Sequence, residues 1–403
     1  MNIPVPDFSE DDSDFESMCC DNNSNNTICN SATLPKVKES ISQHDLFSLA
    51  KSCDPNTTFM STTSTGIEYD KDNPIYKTKT CTLYIGRCSG RYYALKTSPN
   101  SKILMHEWEI YRKIGKYPTI IDAVDLIQEP ISKSFPRSSI GKPTLASKYF
   151  LQLDYAFGGS ISNTIQFFDS KKAWKVLAHI ASALNHIHKN GYIHLDISPS
   201  NILICQNKQI YNIFNSDKYV DNVTYKLTDF GTVLKEGCFD SFCEGAGPYV
   251  SPEALYFPNS RYPVSYATDI WSLGAVMFEI VMHSKMPRDP ERYDAIRKGS
   301  IDLSEIIPHE FEVVLHMLNV DPSLRPTAEQ ILQIPKIKEI LNELDEQLKY
   351  ANDQINMNTN GDIIQKDNDN KNDLLGSSGR KKIRQKRFSD DDIIIRRQSF
   401  DGI

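Results

Sequence analysis

The apolar pattern of this chain changes period partway along, and that change restricts the fold more than any other feature. Between Thr80 and Lys96 the residues read as two strands, Thr80 to Ile85 and Tyr92 to Lys96, and Ser89-Gly90 in the intervening turn implies a hairpin. From Ile103 to Ile114 the spacing lengthens: Ile103, Leu104, Trp108, Ile110, Tyr111 and Ile114 recur as they would on one face of a helix. A further strand, Lys148 to Asp154, ends near Gly158-Gly159. Beyond it Trp174, Leu177, Ala178, Ile180, Ala181, Leu184 and Ile187 make a wide helical stripe, and helices are expected to continue to about Leu348. A small strand-rich part followed by a larger helix-rich part predicts an α+β architecture of two lobes with a cleft between them.

Polar tails flank this block. Residues 1–65 are rich in Ser, Asn, Asp and Thr and too poor in apolar side chains to offset the entropy of ordering, so disorder is expected there. Residues 350–403 are expected to form a second disordered tail, rich in Asn and Asp at first and basic towards its end. The formal charge is −7, and Asp7, Glu10, Asp11, Asp12, Asp14, Glu16 and Asp21, with no Lys or Arg among the first 30 residues, account for all of it. That bulk acidity argues against a nucleic-acid binder relying on a basic surface, and no direct nucleic-acid binding is expected. A hydrophobic content of 39% supplies enough apolar surface for the central block to bury a core.

The 9 cysteines are scattered, and none forms the C-x-x-C pair that a tetrahedral zinc site requires, so free thiols are expected. Met1 to Glu16 lacks an apolar h-region, which argues against secretion, so the triplets at Asn22, Asn25, Asn56 and Asn222 need carry no glycan. The longest apolar stretch, Trp271 to Met282, is too short to span a bilayer, contains Glu279, and reads as a buried helix. A nuclear or cytoplasmic protein without a membrane segment is the expectation.

Chemistry concentrates in three short segments. His194-Leu195-Asp196-Ile197-Ser198-Pro199-Ser200-Asn201 places an Asp and an Asn on one loop, after a helix and before the apolar run Ile202 to Ile204. Asp229-Phe230-Gly231 follows the strand-like Tyr225-Lys226-Leu227, and Ser251-Pro252-Glu253 comes next. Each triplet alone carries little weight, because a loop Asp or a helix Glu is usually a solvated surface group. In this order, spacing and context they resemble the protein kinase superfamily, with its catalytic-loop, D-F-G and A-P-E elements.

The resemblance covers about residues 70–345, and it implies an N-lobe over 70–153 and a C-lobe over 154–345. It also implies roles suited to phosphoryl transfer, which needs positioning and charge neutralisation more than covalent chemistry. Asp196 would accept the proton of the substrate hydroxyl, Asn201 and Asp229 would hold Mg²⁺, and Lys96 in Tyr93-Ala94-Leu95-Lys96 would hold the phosphates of ATP. Its ion-pair partner would be Glu107, from which Ile110, Tyr111 and Ile114 follow at helical spacing, with Glu109 as the alternative. Leu153 would be the gatekeeper, Asp154, Tyr155 and Ala156 the adenine-binding hinge, and Cys81, Ala94 and Leu203 further lining of the nucleotide pocket. The resemblance makes His194, Asp269 and the pair Glu253 and Arg325 structural.

Two departures stand out. The stretch that would cover the phosphates, Pro74 to Cys81, contains no glycine, which opposes close approach of its N–H groups to an anion. Ser198 stands where serine/threonine kinases have a phosphate-contacting lysine. Lys77 or Lys79 could compensate, or be exposed hairpin charges. These departures keep open an alternative, a pseudokinase that binds a partner without transferring phosphate.

Leu195 replaces the Arg that reads a phosphorylated activation loop, so control by such phosphorylation is not expected. His194-Leu195-Asp196 with Pro199-Ser200-Asn201 is similar to the Wee/Myt kinases that inhibit cyclin-dependent kinases. Glu244-Gly245, Tyr249, Pro252-Glu253, Met286-Pro287, Tyr293, Ile296-Arg297-Lys298-Gly299, Leu318, Asp321-Pro322 and Arg325-Pro326-Thr327-Ala328 also follow that family, while Ala246 and Pro248 replace an Asp and an Arg of its activation segment. The implied substrate is the Tyr, or adjacent Thr and Tyr, in the glycine-rich loop of a cyclin-dependent kinase. With no membrane anchor visible, a Wee-like member fits best. A third reading is a serine/threonine kinase outside the cell-cycle group.

The basic run Arg380 to Arg387 reads as a nuclear-import signal or a solvated cluster, and Lys386-Arg387-Phe388-Ser389 and Arg396-Arg397-Gln398-Ser399 as sites for a basophilic kinase. Ile337, Ile340, Leu341, Leu344 and Leu348 form a helical stripe expected to pack on the C-lobe.

Overall fold

A computed structural model describes residue 59 and residues 61–130, 147–206, 223–239, 247–284 and 290–353, with residues 290–293 described by backbone alone. The N-lobe sheet grows from the hairpin at Ser89 and Gly90, whose φ angles of 49° and 76° give the primed type of turn that matches strand twist. In the seven-stranded sheet, β1 is Ser61–Thr62, β2 Glu68–Tyr69, β3 Tyr76–Lys77, β4 Thr82–Cys88, β5 Arg91–Thr97, β6 Ala123–Pro130 and β7 Ser147–Asp154. The strand order is β1-β2-β4-β5-β7-β6, with β3 beside β4, and β5 lies in the interior between β4 and β7.

The sheet starts earlier than the sequence suggests. β1 lies inside the stretch 1–65 assigned to a disordered tail, so that boundary is corrected towards the N-terminus. Ile67 (3% exposed) anchors the added strands, and Gly86 makes room for it: a Cβ there would lie 2.7 Å from Ile67 Cγ2. Tyr69 adds edge contacts to Tyr84 and Phe150 at 5.4 and 5.3 Å.

The first helix, α1 (Ser101–Ile114), starts where Asn100 accepts a hydrogen bond from Lys102 N and buries Leu104, Glu107, Ile110, Tyr111 and Ile114. It packs on β6 and β7. In the C-lobe, α2 (Ser170–Lys189) is capped by Asp169 and buries its whole apolar stripe, and each such Leu or Ile contributes about 1.5–3 kcal/mol. Four short strands follow: β8 (Tyr192–Ile193), β9 (Ile202–Gln206), β10 (Val223–Leu227) and β11 (Leu234–Lys235), paired β8 with β11 and β9 with β10.

The remaining helices are α3 (Pro252–Leu255), α4 (Tyr266–Met282), α5 (Pro290–Arg297), α6 (Glu312–Met317), α7 (Ala328–Ile331) and α8 over residues 335–353. As expected for the apolar run at Trp271, α4 is buried almost throughout, Thr268 to Ile280, and it packs on α2. Ile337, Leu344 and Ala351 bury one face of α8, and Ile340 and Leu341 join the main core, so the helix lies on the C-lobe. Its apolar stripe carries it past the expected boundaries at residues 345 and 350, a second correction.

Among the described residues no helix is long and apolar enough to cross a membrane. The acidic head, the glycosylation triplets at Asn22, Asn25 and Asn56, Asn222 itself, Glu244-Gly245, Ala246, Met286-Pro287, the basic run and both basophilic motifs lie outside the described residues, while Val223 and Thr224 of the fourth triplet begin β10 and are buried.

Candidate active site

The interior strand β5 carries Lys96 into the cleft, where it is 7% exposed. Its Nζ lies 2.8 Å from Glu107 Oε2 on α1 and 2.8 Å from Asp229 Oδ1 beyond β10. Burial alone pulls the ammonium pKa down. Asp229 and Glu107 overcome that and hold it well above the ordinary lysine range. Burial pushes Glu107 up, against the pull of Lys96; Asp229 is also opposed by burial, but Lys96 wins and its pKa is lowered. Glu107 is fully buried and also accepts a hydrogen bond from Phe230 N at 3.2 Å. Glu109, the alternative partner, has a 61% exposed side chain that pairs with Lys113 on its own helix.

Asp229 takes φ 65°, and Gly231 N donates to its Oδ1 at 3.3 Å. Between them Phe230 is fully buried, 4.5 Å from the Tyr111 ring and 5.1 Å from the His194 ring. This aromatic run ties α1 to the loop that carries Asp196. The loop itself hangs on Asp269, whose carboxylate accepts His194 N and Leu195 N at 2.8 Å each and lies 2.8 Å from His188 Nε2. Those bonds hold Leu195 at φ 69°, a left-handed conformation costing about 1–3 kcal/mol for a non-glycine residue. Burial, opposed by Asp269, keeps the His194 imidazole pKa below its ordinary value, consistent with a neutral anchor.

Asn201 closes the loop: its Nδ2 donates to Asp196 O at 2.9 Å and to Asp196 Oδ2 at 2.8 Å. Ser198 is 2% exposed and its hydroxyl lies 2.8 Å from that of Ser200, so it does not stand in for a lysine reaching a phosphate. On the cleft roof, Thr78 N donates to Cys81 O at 2.8 Å, while Thr80 N and Cys81 N donate to Thr78 Oγ1 at 3.3 and 3.0 Å. These amides are engaged inside the turn, in keeping with the absence of glycine. Lys77 and Lys79 are exposed.

Burial pushes the Cys81 thiol up to about 11, against the neighbouring Lys96. Leu153 (5% exposed) is in register with Ala94, itself buried on β5. Asp154 ends β7 and donates its N–H to Asp122 O; Ala156 (8% exposed) accepts from Gly159 N. Leu203 bridges to Ser160 on the C-lobe side.

The donor set fits a nucleotide with a divalent cation. The Asp229 side chain keeps 39% exposure despite its bond to Lys96. The Asn201 amide nitrogen is committed to Asp196, which leaves its carbonyl oxygen for a cation. Among the described residues no group of three or more His, Cys, Asp or Glu could hold a metal ion by itself.

Some contributors escape sequence reasoning: His188 on Asp269, Thr232 Oγ1 donating to His194 O at 3.0 Å, and His106 Nε2 donating to Val233 O at 2.8 Å. Their spacing has no local period, so only a fold-level comparison could find them.

A model of the protein kinase domain matches residues 78–337. A Wee1-like protein kinase of Oryza sativa subsp. japonica is 31% identical over 165 residues, 41% of this chain and 28% of that protein. A membrane-associated tyrosine- and threonine-specific cdc2-inhibitory kinase of Drosophila melanogaster is 31% identical over 179 residues, 42% of this chain and 29% of its own length. A probable serine/threonine-protein kinase nek2 of Dictyostelium discoideum is 27% identical over 248 residues, 57% of this chain and 51% of that protein. The chain thus spans under a third of the first two relatives and about half of the third. With a cleft that joins Lys96, Glu107 and Asp229, and a domain match over most of its described length, the chain belongs to the protein kinase family.

Proposed function

We propose that this kinase phosphorylates the glycine-rich loop of a cyclin-dependent kinase, in the manner of the Wee/Myt group. The observation that carries phosphotransfer is the three-way contact of Lys96 with Glu107 and Asp229. Lys96 binds the phosphates of ATP and is kept charged and aimed by the two carboxylates. Asp196, oriented by Asn201, accepts the proton of the acceptor hydroxyl. Asn201 and Asp229 would hold Mg²⁺, which would supply neutralisation of the charge developing on the phosphates. The roof turn, with its amides engaged, leaves phosphate binding to Lys96 and the metal ligands. Leu153, Asp154, Ala156, Cys81, Ala94 and Leu203 enclose the adenine.

Support for the substrate is the similarity to a Wee1-like kinase and to a kinase described as cdc2-inhibitory. The test uses purified full chain, labelled ATP, Mg²⁺ and a cyclin-dependent kinase, followed by mapping of the labelled residue. Label on the loop Tyr, or the adjacent Thr, is the expected result. Label confined to other serines and threonines would reject this substrate and favour a kinase outside the cell-cycle group.

The two candidate glutamates separate cleanly. Glu107→Gln keeps the shape and removes the charge facing Lys96, a charge-assisted hydrogen bond worth about 1.5–3 kcal/mol, so kcat/KM for ATP should fall about 10- to 100-fold. Glu109→Gln, on the exposed face, should stay within about twofold. Initial rates at varied ATP read both, and equal losses would remove Glu107 from this role.

A further inference from the structure

The Arg297 guanidinium at the end of α5 is 3% exposed and spends its donors on a distant stretch of main chain. Nη2 donates to Gly247 O at 2.7 Å and Nε to Val250 O at 2.9 Å, while Nη1 lies 3.5 Å from Asp294 Oδ1. Residues 247–250 immediately precede Ser251-Pro252-Glu253 and form a short 3-10 turn closed by Val250 N donating to Gly247 O at 3.3 Å. A second tie comes from α4, where Tyr249 Oη donates to the buried Glu279 at 3.0 Å. Val250 also belongs to an apolar cluster with Leu195, Ala254 and Val264. Leu195 is the neighbour of Asp196, so contacts run unbroken from the Arg297 guanidinium through Val250 to the residue beside the proposed base.

We propose that Arg297 is a positioning residue that latches residues 247–250 against the catalytic loop and so sets the platform for the protein acceptor. The physical reason is a substitution elsewhere. With Leu at 195, the catalytic loop has no guanidinium of its own to hold the activation segment and packs on it through apolar contacts instead. Such contacts fix distance but not the direction of the main chain. Two charge-assisted hydrogen bonds in fork geometry supply the direction, and they need no phosphate to form. The latch therefore stays engaged in the unmodified protein. Lysine cannot replace it fully, because one ammonium lacks the planar fork that reaches both carbonyls.

The test compares full-length wild type, Arg297→Lys and Arg297→Ala. Acceptor and ATP KM values are measured with an inactivated cyclin-dependent kinase and, in parallel, casein, and amide hydrogen exchange is followed in the same proteins. The acceptor KM should rise about fivefold for Lys and about 50-fold for Ala, with the ATP KM within about twofold. Exchange at the Val250 amide should accelerate in both variants while strand β10 is unchanged. Should Arg297→Ala fail to fold, Arg297→Lys, which keeps the charge and most of the stem, decides alone. Unchanged Val250 exchange in Arg297→Lys, or ATP and acceptor KM values rising together, overturns the latch. If wild type labels casein but not the cyclin-dependent kinase, the substrate reading fails and the latch is judged on casein. If it labels neither, exchange decides.

Discussion

Asp196→Asn should lower the turnover of phosphotransfer by about 10²–10⁴-fold, the range for removing a positioned general base. The substitution is nearly isosteric, and an Asn Oδ1 can still accept the Asn201 Nδ2 bond that Asp196 Oδ2 accepts at 2.8 Å. The loop should also keep its shape, because its main chain is fixed from elsewhere: Asp269 holds His194 N and Leu195 N, and Asn201 also bonds Asp196 O. What disappears is the charge and basicity facing the acceptor hydroxyl. Nucleotide affinity should stay near wild type, because Lys96, Glu107 and Asp229 are untouched. A fall in kcat with retained ATP binding therefore distinguishes lost chemistry from a collapsed cleft.

The largest expected loss of stability comes from Arg325→Ala. Arg325 and Glu253 are paired with both side chains completely buried, at 2.6 Å for Nη1 and 2.9 Å for Nη2. Arg325 also donates to Asn319 O and Ala267 O at 2.8 Å each, and its guanidinium lies 4.9 Å from the Trp271 ring. Thr268 Oγ1 donates to the same Glu253 oxygen at 3.0 Å, which joins α3, α4 and the segment before α7 in one knot. Removing the cation leaves a carboxylate buried without its charge partner, which costs about 3–5 kcal/mol. Adding Glu253→Gln to Arg325→Ala removes the stranded charge, so the double variant should be clearly more stable than the sum of the single losses requires. Chemical denaturation of the four proteins reads both statements. A single loss below about 1 kcal/mol, or strict additivity, would show that the pair does not hold the C-lobe in this way.

Features with a local signature were legible in the sequence. The Ser89-Gly90 hairpin follows from residues that accept positive φ, α1 and α2 follow from apolar spacing and α4 from a continuous apolar run, with errors of a few residues at their ends. Asp196, Asn201 and Asp229 stood out because their order and strand context are shared with a known family, although each alone would pass for a surface polar residue.

Features built by distant pairing were not legible. The two-residue strands β1 and β2 are too short to show a period, and β2 exists because Glu68 pairs with Arg87 and Ile67 fills the space over Gly86. β6 has a burial pattern too irregular to read as a strand, with a register shift between Ala123 and Asp125. His188 meets Asp269, and Arg297 meets Gly247, across long stretches of sequence in which nothing periodic connects the partners. Such contacts are products of the fold rather than of local preference. The choice of Glu107 over Glu109 lay between these cases: helical spacing favoured Glu107, and the structure separates the two by burial.

Whether a site with no glycine in its roof turn and Ser198 in its catalytic loop still transfers phosphate is the central question, and one comparison addresses it directly. Wild type and Asp196→Asn are incubated side by side with γ-labelled ATP, Mg²⁺ and a cyclin-dependent kinase, and nucleotide binding is measured on the same samples. Transfer of label by wild type, its near loss in Asp196→Asn, and equal nucleotide binding by the two are the expected results. Absence of label from any protein in the wild-type reaction, or equal labelling by both proteins, would contradict phosphotransfer at this site.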